Sequence, residues 1–440
     1  MAIVKFHEFT GLLQSVTTRF LRPSNELTRA INVVGDTTGG LQKRLGYSRA
    51  GDTVNASQNI SGLHSYYRQN GDSYLLVTET SNLSRYTGGA YANISGALSS
   101  GTKYEMATFI DEVFICGYNP TTLAFDTIRN LDNLTLTTDH NLTSAPNAKI
   151  PVVFRQRLYL ISLNGRKSAF QYSAVPTSSG TVITWTAANI EEVRTDDGDE
   201  LVSGVDFANR LVLFKNNSMH EWNESSVMQV AQIGTTSHRS IVNTGSELYF
   251  FSRSKNIKGF YRYQGGQPKL ISGKIQKWCD GIADSALDDM VGFRLGKNII
   301  WNVGTTTVDA DSYTNSALVY NLANNTWSHF QYADTFLVYS PFIISGVERP
   351  YLGTNDGDVH QIAINNDTVY ADNNTAIAAL FRTNKIDFGA SEDKKRIAKS
   401  KFFAQNGQGL SVKVRADDGN WESIGQLNKT VNEFGGLQSK

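Results

Sequence analysis

The sequence predicts an all-β protein, a β-propeller of about seven blades with an extended N-terminal arm and a C-terminal β-strand or sandwich region. Three observations predict it: one strand recurs at blade-like spacing, hairpin partners follow it, and helix is scarce. Seven runs share one grammar, an apolar strand between polar turns: GDSYLLVTET (71–80), IDEVFICGYN (110–119), RQRLYLISLN (155–164), ANRLVLFKNN (208–217), GSELYFFSRS (245–254), GKNIIWNVGT (296–305) and VERPYLGTND (347–356). With Tyr74, Val113, Leu158, Leu211, Leu248, Ile299 and Tyr351 as equivalent positions, the steps are 39, 45, 53, 37, 51 and 52 residues. One propeller blade takes roughly 40 to 50 residues.

Partner strands follow in LSRYTGG, SAFQYSA, SMHEWNE, KGFYRYQGG, ALVYNLANNTW and GDVHQIAIN. Their Gly, Asn and Asp residues supply the positive φ angles of tight turns. A four-stranded sheet cannot bury both of its faces alone, whereas radially arranged sheets pack face to face and leave only short edges. Continuous apolar strands such as LYLI and LVLF fit burial on both sides. The uneven spacing also admits an extended array of tandem sandwiches.

The expected organisation is an arm and lead-in strand over 1–56, the propeller over 57–372 and the β region over 373–440. In the arm, RPSNELTRAINVVGD reads as one short helix, capped at Ser24 or Asn25, with Leu27, Ala30 and Ile31 on one face and an end near Gly35. Gly39 and Gly40 supply a turn, and Leu41 to Tyr47 reads as a strand that leads into the first blade and helps close the ring. Low charge periodicity and many turn residues would let residues 1–40 stay mobile until a partner orders them. A second helix is expected in SGKIQKWCDG (272–281), with Ile275, Trp278 and Cys279 on one face, connecting the fifth and sixth blades. Near the C-terminus, LSVKVRADDGNWESI reads as a hairpin with Leu410, Val412 and Val414 on one face and its turn at Asp417 to Asn420.

Composition restricts the function. Lys plus Arg is 41 and Asp plus Glu is 41, so no net field draws the whole molecule onto nucleic acid or an anionic membrane. The two cysteines, Cys116 and Cys279, form neither a disulfide framework nor a zinc cluster, and a reducing cytoplasm is the simplest expectation. MAIVKFHEFTG lacks a secretory signal's apolar core, and TFLVYSPFIISG, broken by Ser340 and Pro341, is too short to span a bilayer.

The motifs of catalysis and ligand binding are weak. Seven histidines are scattered singly, without metal-ligand spacing, and no GxSxG elbow occurs. GFRLGK (292–297) is one residue short of a P-loop and reads as a hairpin turn. The acidic runs TDDGDE, DADS and NDGD lack the EF-hand offsets and read as solvated turns. RADDGNW matches a sialidase aspartate box only in its Asp-x-Gly and Trp. The basic run DKKRIAKSK (393–401) reads as a solvated face or a subunit contact before a nucleic-acid site. No catalytic residue, cofactor or metal is expected.

The arm, FTGLLQSVTTRFLRPSNELTRAINVVGDTTGGLQKRLGY, resembles the opening of the nozzle proteins, or tail tubular protein B, of short-tailed bacteriophages. The matching positions are Gly11, Leu12, Pro23, Ala30, Asn32, Val33, Gly40, Leu41, Lys43, Arg44, Gly46 and Tyr47. A second likeness runs from Leu270 to Phe330. The resemblance implies a non-enzymatic structural protein of the virion tail, assembled in the bacterial cytoplasm. It implies a ring, usually of six copies, below the portal and adaptor, enclosing a channel that retains and then conducts double-stranded DNA without reading its sequence. Tail fibres or spikes are further implied partners. Gly40, Leu41, Lys43, Arg44, Gly46 and Tyr47 are the candidate assembly-arm residues. The alternative expectation is a glycan-binding or glycan-cleaving propeller for host attachment, with carboxylates, Arg and aromatics converging on the central channel. A host cytoplasmic propeller scaffold is a third.

Overall fold

The computed structural model describes residues 9, 11, 26–35, 40–137, 140–176, 183–254, 257–364, 367–383, 396–403, 409–415, 420–427 and 431–438. The chain divides into two compact units, 6–384 and a second made of 1–5 with 385–440.

The larger unit is a β-propeller of seven antiparallel blades. The first blade is Ile60–Tyr67, Ser73–Glu79, Asn82–Tyr86 and Tyr91–Ser95. The second through fifth repeat the pattern, their second strands being Glu112–Asn119, Arg157–Leu163, Arg210–Lys215 and Leu248–Ser252. The sixth runs through Val291–Leu295, Asn298–Val308, Asp311–Asn321 and Thr326–Gln331, and the seventh through Phe336–Ile344, Val347–Thr354 and Val359–Ile362. All seven apolar runs of the sequence are second strands. They are the most buried: Val113, Leu158, Leu211, Leu248, Ile299 and Tyr351 are each inaccessible to solvent.

Packing distinguishes a closed ring from a tandem array. Seven blades in a row have six interfaces, but seven in a ring have seven. Among the described residues seven apolar clusters occur, one between each neighbouring pair. The closing cluster joins Val338, Phe342, Tyr351 and Val359 of the seventh blade to Ile60, Leu75 and Val77 of the first.

The segment before the first blade supplies the seventh blade's fourth strand. Tyr47–Arg49 pairs antiparallel with Val359–Ile362, setting Tyr47 opposite Ile362. Leu41–Lys43 is a separate strand, so the stretch expected as one strand is broken at 44–46. The expected helix over 23–35 does not form among the described residues of that stretch, which hold the strands Leu27–Ile31 and Val33–Gly35. Leu27–Ile31 joins the sixth blade, parallel to Thr326–Gln331 and antiparallel to Leu380–Thr383. A register shift between Leu27 and Arg29 turns both Leu27 and Ala30 inward. That bulge gives a strand the three-residue apolar spacing of a helix.

The segment 373–383, grouped on the sequence with the C-terminal region, pairs within the larger unit: Thr375–Ala376 extends the seventh blade and Leu380–Thr383 the sixth. The connector between the fifth and sixth blades is a turn of 3-10 helix, Gly273–Ile275, leading into the short helix Gln276–Asp280, with Ile275, Trp278 and Cys279 fully buried. In the smaller unit, Arg396–Phe403 pairs with Val431–Gln438, and Leu410–Val414 with Glu422–Leu427 as the expected hairpin. Of its expected turn, 417–419 lie outside the described residues. Among the described residues, no helix is long and apolar enough to cross a membrane.

Candidate functional site: the ring-closing junction and the propeller axis

The arm positions singled out on the sequence meet where the ring closes. Asn32 begins the junction, at φ +56 between its two strands, a conformation Asn tolerates better than most residues. Its Nδ2 donates to the Ala378 carbonyl at 2.7 Å, while its Oδ1 accepts from the Gln331 N–H at 2.9 Å and from Arg44 Nε at 2.8 Å.

Arg44 is 4% exposed, and all five of its N–H donors are used. Besides Asn32, they reach the Leu45 carbonyl at 3.0 Å, the Gln331 carbonyl at 2.8 Å, and both oxygens of Asp372 at 2.7 and 2.5 Å. The guanidinium also lies 4.4 Å from the Tyr332 ring centroid and 5.5 Å from that of Phe330. A planar fork able to bind a carboxylate and stack on a ring is what Arg supplies and Lys does not. Arg44 is thus committed inside the fold. Lys43 beside it is exposed, so the Lys-Arg pair offers one surface cation to a phosphate.

Gly46 touches backbone. A Cβ there would lie 1.9 Å from the Ala371 carbonyl oxygen. Its N–H donates to Val369 O at 2.9 Å, and its carbonyl accepts from Ala363 N at 3.0 Å. Tyr47, 1% exposed, donates its hydroxyl to Asp334 Oδ2 at 2.7 Å. The same oxygen is 3.1 Å from Nε2 of the fully buried His360. Burial, followed by the Asp334 carboxylate, pushes the Tyr47 hydroxyl far above its ordinary range. The His360 contact, assisted by Tyr47, holds Asp334 below the usual carboxylate range against its own burial. Leu41 is half-buried against the core between the fifth and sixth blades, and pairs with Gly35. Gly40 adjoins this strand; the Gly39 half of the expected turn lies outside the described residues.

A second constellation, at the axis, was not legible in the sequence. Arg239 leaves the connection between the fourth and fifth blades and reaches across the ring. Its guanidinium donates to Glu105 Oε1 at 2.7 Å and Tyr104 O at 3.1 Å in the second blade, Ser61 O at 2.7 Å in the first, and Leu337 O at 3.0 Å in the seventh. The connection before the sixth blade also crosses: Lys103 Nζ of the second blade donates to Asp288 O at 3.2 Å. Thr236 and Ser237 hold its Leu287 and Met290 carbonyls at 3.3 and 2.9 Å. The remaining axial cavity is about 190 Å³. Glu105 is its one lining carboxylate among the described residues, and Arg239 already pairs with it. Glycoside hydrolysis uses two flanking carboxyl groups, and the axial cavity does not bring a second one in.

No group of three His, Cys, Asp or Glu gathers as metal ligands among the described residues. The acidic runs serve as turns: Asp197 pairs with the buried Lys215 Nζ at 2.6 Å, and Asp309 and Ala310, both at positive φ, turn the long hairpin of the sixth blade. GFRLGK is likewise a hairpin turn, with Gly296 at φ +58 between Leu295 and its partner Asn298.

Fold and junction together define a seven-bladed propeller fastened by a strand from the segment that precedes its first blade. No family model matches the chain, and no curated protein matches it. Among solved structures, it is similar to PorZ, an essential bacterial surface component of the type-IX secretion system of Porphyromonas gingivalis. The identity is 13% and the TM-score 0.41, over 84% of this chain and 46% of PorZ, so the chain spans less than half of that protein's length.

Proposed function

We propose that this chain is a structural protein of a short-tailed bacteriophage tail, a nozzle or hub subunit without catalysis. Several copies, six by analogy, form a ring below the portal and adaptor. The channel between them retains the packaged genome and conducts it on infection. The observation that carries this reading is that four residues bearing the resemblance, Asn32, Arg44, Gly46 and Tyr47, occupy one junction and interlock there. A likeness on residues that build a common device is better support than one scattered over the surface.

Two further features fit. Arg239 and the 283–289 connection cross the propeller's own axis and leave a cavity of about 190 Å³ there, which supports a DNA conduit between copies over one through a single propeller. The balance of 41 basic and 41 acidic residues suits a wall past which a polyanion slides, because each phosphate neutralised by a cation strengthens binding. Portal, adaptor and fibre or spike proteins are the proposed neighbours, and the virion tail is the proposed location.

Negative-stain electron microscopy of the purified protein, alone and with a co-expressed portal and adaptor, tests the reading. Closed rings or tail-like assemblies are expected. Isolated monomers under every condition, with the chain missing from purified virions of its source, would overturn it.

A further inference from the structure

A propeller leaves one open edge on each blade, its outermost strand. Natural sheets protect such edges by keeping them short, charged or covered, and most blades here do so. The outer strand of the second blade, Thr135–Thr137, is three residues long, and that of the third, Ile190–Glu192, ends on two glutamates. Those of the fifth and seventh, Lys269–Leu270 and Thr375–Ala376, are two residues each. In the first, Tyr91 and Ile94 of Tyr91–Ser95 are half-buried against neighbouring cores.

Two blades lack that protection. Val227–Ala231, the outer strand of the fourth, is five residues long without a charge, and its Met228 is 54% exposed. The sixth blade is widened to six strands, and its last, Leu380–Thr383, presents Leu380 and Phe381 at 46% and 47% exposed, even with the Phe9 ring 6.2 Å from that of Phe381. Neighbours in a strand point to opposite faces, so this edge is apolar on both. Neither strand pairs with a further one among the described residues. The bond from Gln267 Nε2 to the Val230 carbonyl falls at the bulged end of the fourth blade's edge.

Every second residue of an outer strand turns its N–H and C=O away from the sheet. Each edge therefore offers backbone bonds together with apolar side chains, and what fits is another apolar strand edge. One chain carries two of them. They are different surfaces, so copies joined through them meet head to tail. Two steps around seven blades subtend about 103°, and head-to-tail contacts about 108° or 120° apart close a ring of five or six copies with parallel axes.

We propose that Leu380–Thr383 of one copy pairs with Val227–Ala231 of the next, joining a sixth blade to a fourth in one continuous sheet. The inference rests on the reading of the chain as a ring-forming subunit and names the surfaces that make the ring.

Sedimentation of the full-length protein tests it, with Phe381→Lys and Met228→Lys each placing a charge on one edge. The parent should sediment as an assembly of five or six copies, and each variant alone as a monomer. An equimolar mixture should stop at dimers, because one intact edge of each kind remains, and a dimer also shows that both variants are folded. Leu123→Lys, on an exposed loop of the second blade, should assemble like the parent. Either edge variant assembling like the parent, or a mixture that stays monomeric, would overturn the inference and leave the ring reading in place. So would edge variants that keep the ring but lose a co-expressed portal or adaptor, which would assign the edges to those proteins. A parent that is monomeric at every concentration would overturn it too, and the same result with portal and adaptor present would remove the ring reading as well.

Discussion

Arg44 and Asp372, 328 positions apart in the chain, form a two-pronged ion pair with both side chains almost wholly buried. The pair ties the segment before the first blade to the segment after the last.

Breaking it from one side should cost more than its net worth, because the other charge stays buried without a counter-ion. Arg44→Met and Asp372→Leu should each destabilise by about 3–5 kcal/mol, read from urea denaturation of the full chain. The double variant should recover a large part of that loss. Arg44→Lys should behave more like Met than like Arg, since an ammonium lacks the fork. Single-variant losses that simply add would show the two side chains to be uncoupled.

Gly46→Ala should be among the most damaging single-methyl additions in the protein, because the added carbon would overlap the Ala371 carbonyl at 1.9 Å. Gly89→Ala is the control, since a Cβ there meets nothing within 4 Å. The control should stay within about 0.5 kcal/mol of the parent, whereas Gly46→Ala should unfold well below it in a thermal melt. Equal melting temperatures for the two would contradict the close approach.

Arg239 holds backbone carbonyls of three blades as well as Glu105, so Arg239→Ala removes a brace across the ring. A loss of about 2–4 kcal/mol is expected from the orphaned acceptors and the unpaired carboxylate. Glu105→Gln, which leaves the carbonyl contacts in place, should cost less. Thermal denaturation ranks them, and the reverse order would assign the brace to the ion pair alone.

His329 gives the fold an acid-sensitive point. It is fully buried, 4.5 Å from the Trp278 ring and 5.1 Å from that of Tyr313, with Nε2 2.9 Å from Ser316 Oγ. Burial, reinforced by Arg29 and Arg44, pulls its pKa down to about 3. The folded protein therefore keeps the ring neutral where the unfolded chain, with a value near 6.5, takes up a proton. Stability from this group is fully present above about pH 6.5 and declines as the pH falls toward 3, by up to about 1.4 kcal/mol per unit. Denaturation midpoints measured from neutral to mildly acidic pH should fall on acidification, and His329→Gln should flatten that slope. An unchanged slope in the variant would transfer the effect to other groups.

The blades were legible because their second strands are buried on both faces and read as unbroken apolar runs bounded by turn residues. The helix Gln276–Asp280 was legible because Ile275, Trp278 and Cys279 share one face that packs inward. The arm misled for a local reason: the bulge between Leu27 and Arg29 gives a strand paired on both sides helical spacing. Of the junction, the sequence marked Arg44, Gly46 and Tyr47 but not their roles, since Arg44 looks like a surface cation until Asp372 is folded onto it. Arg239 carried no signal at all: it sits in a polar connection, and only the closed ring brings its partners near.

The fastening strand has a consequence in time. Tyr47 pairs with Ile362, more than 300 residues later in the chain. At about 5–20 residues per second of synthesis, roughly 15 to 60 seconds separate the emergence of the two partners from the ribosome. Until Ile362 emerges the ring cannot close, and Tyr47 and the face of the first blade that packs on the seventh lack their cover. Nascent chains stalled before residue 359 should be cut readily by protease near 47–49, and chains released past 384 should resist, so closure is the last event in the propeller's folding and the step a chaperone would have to guard.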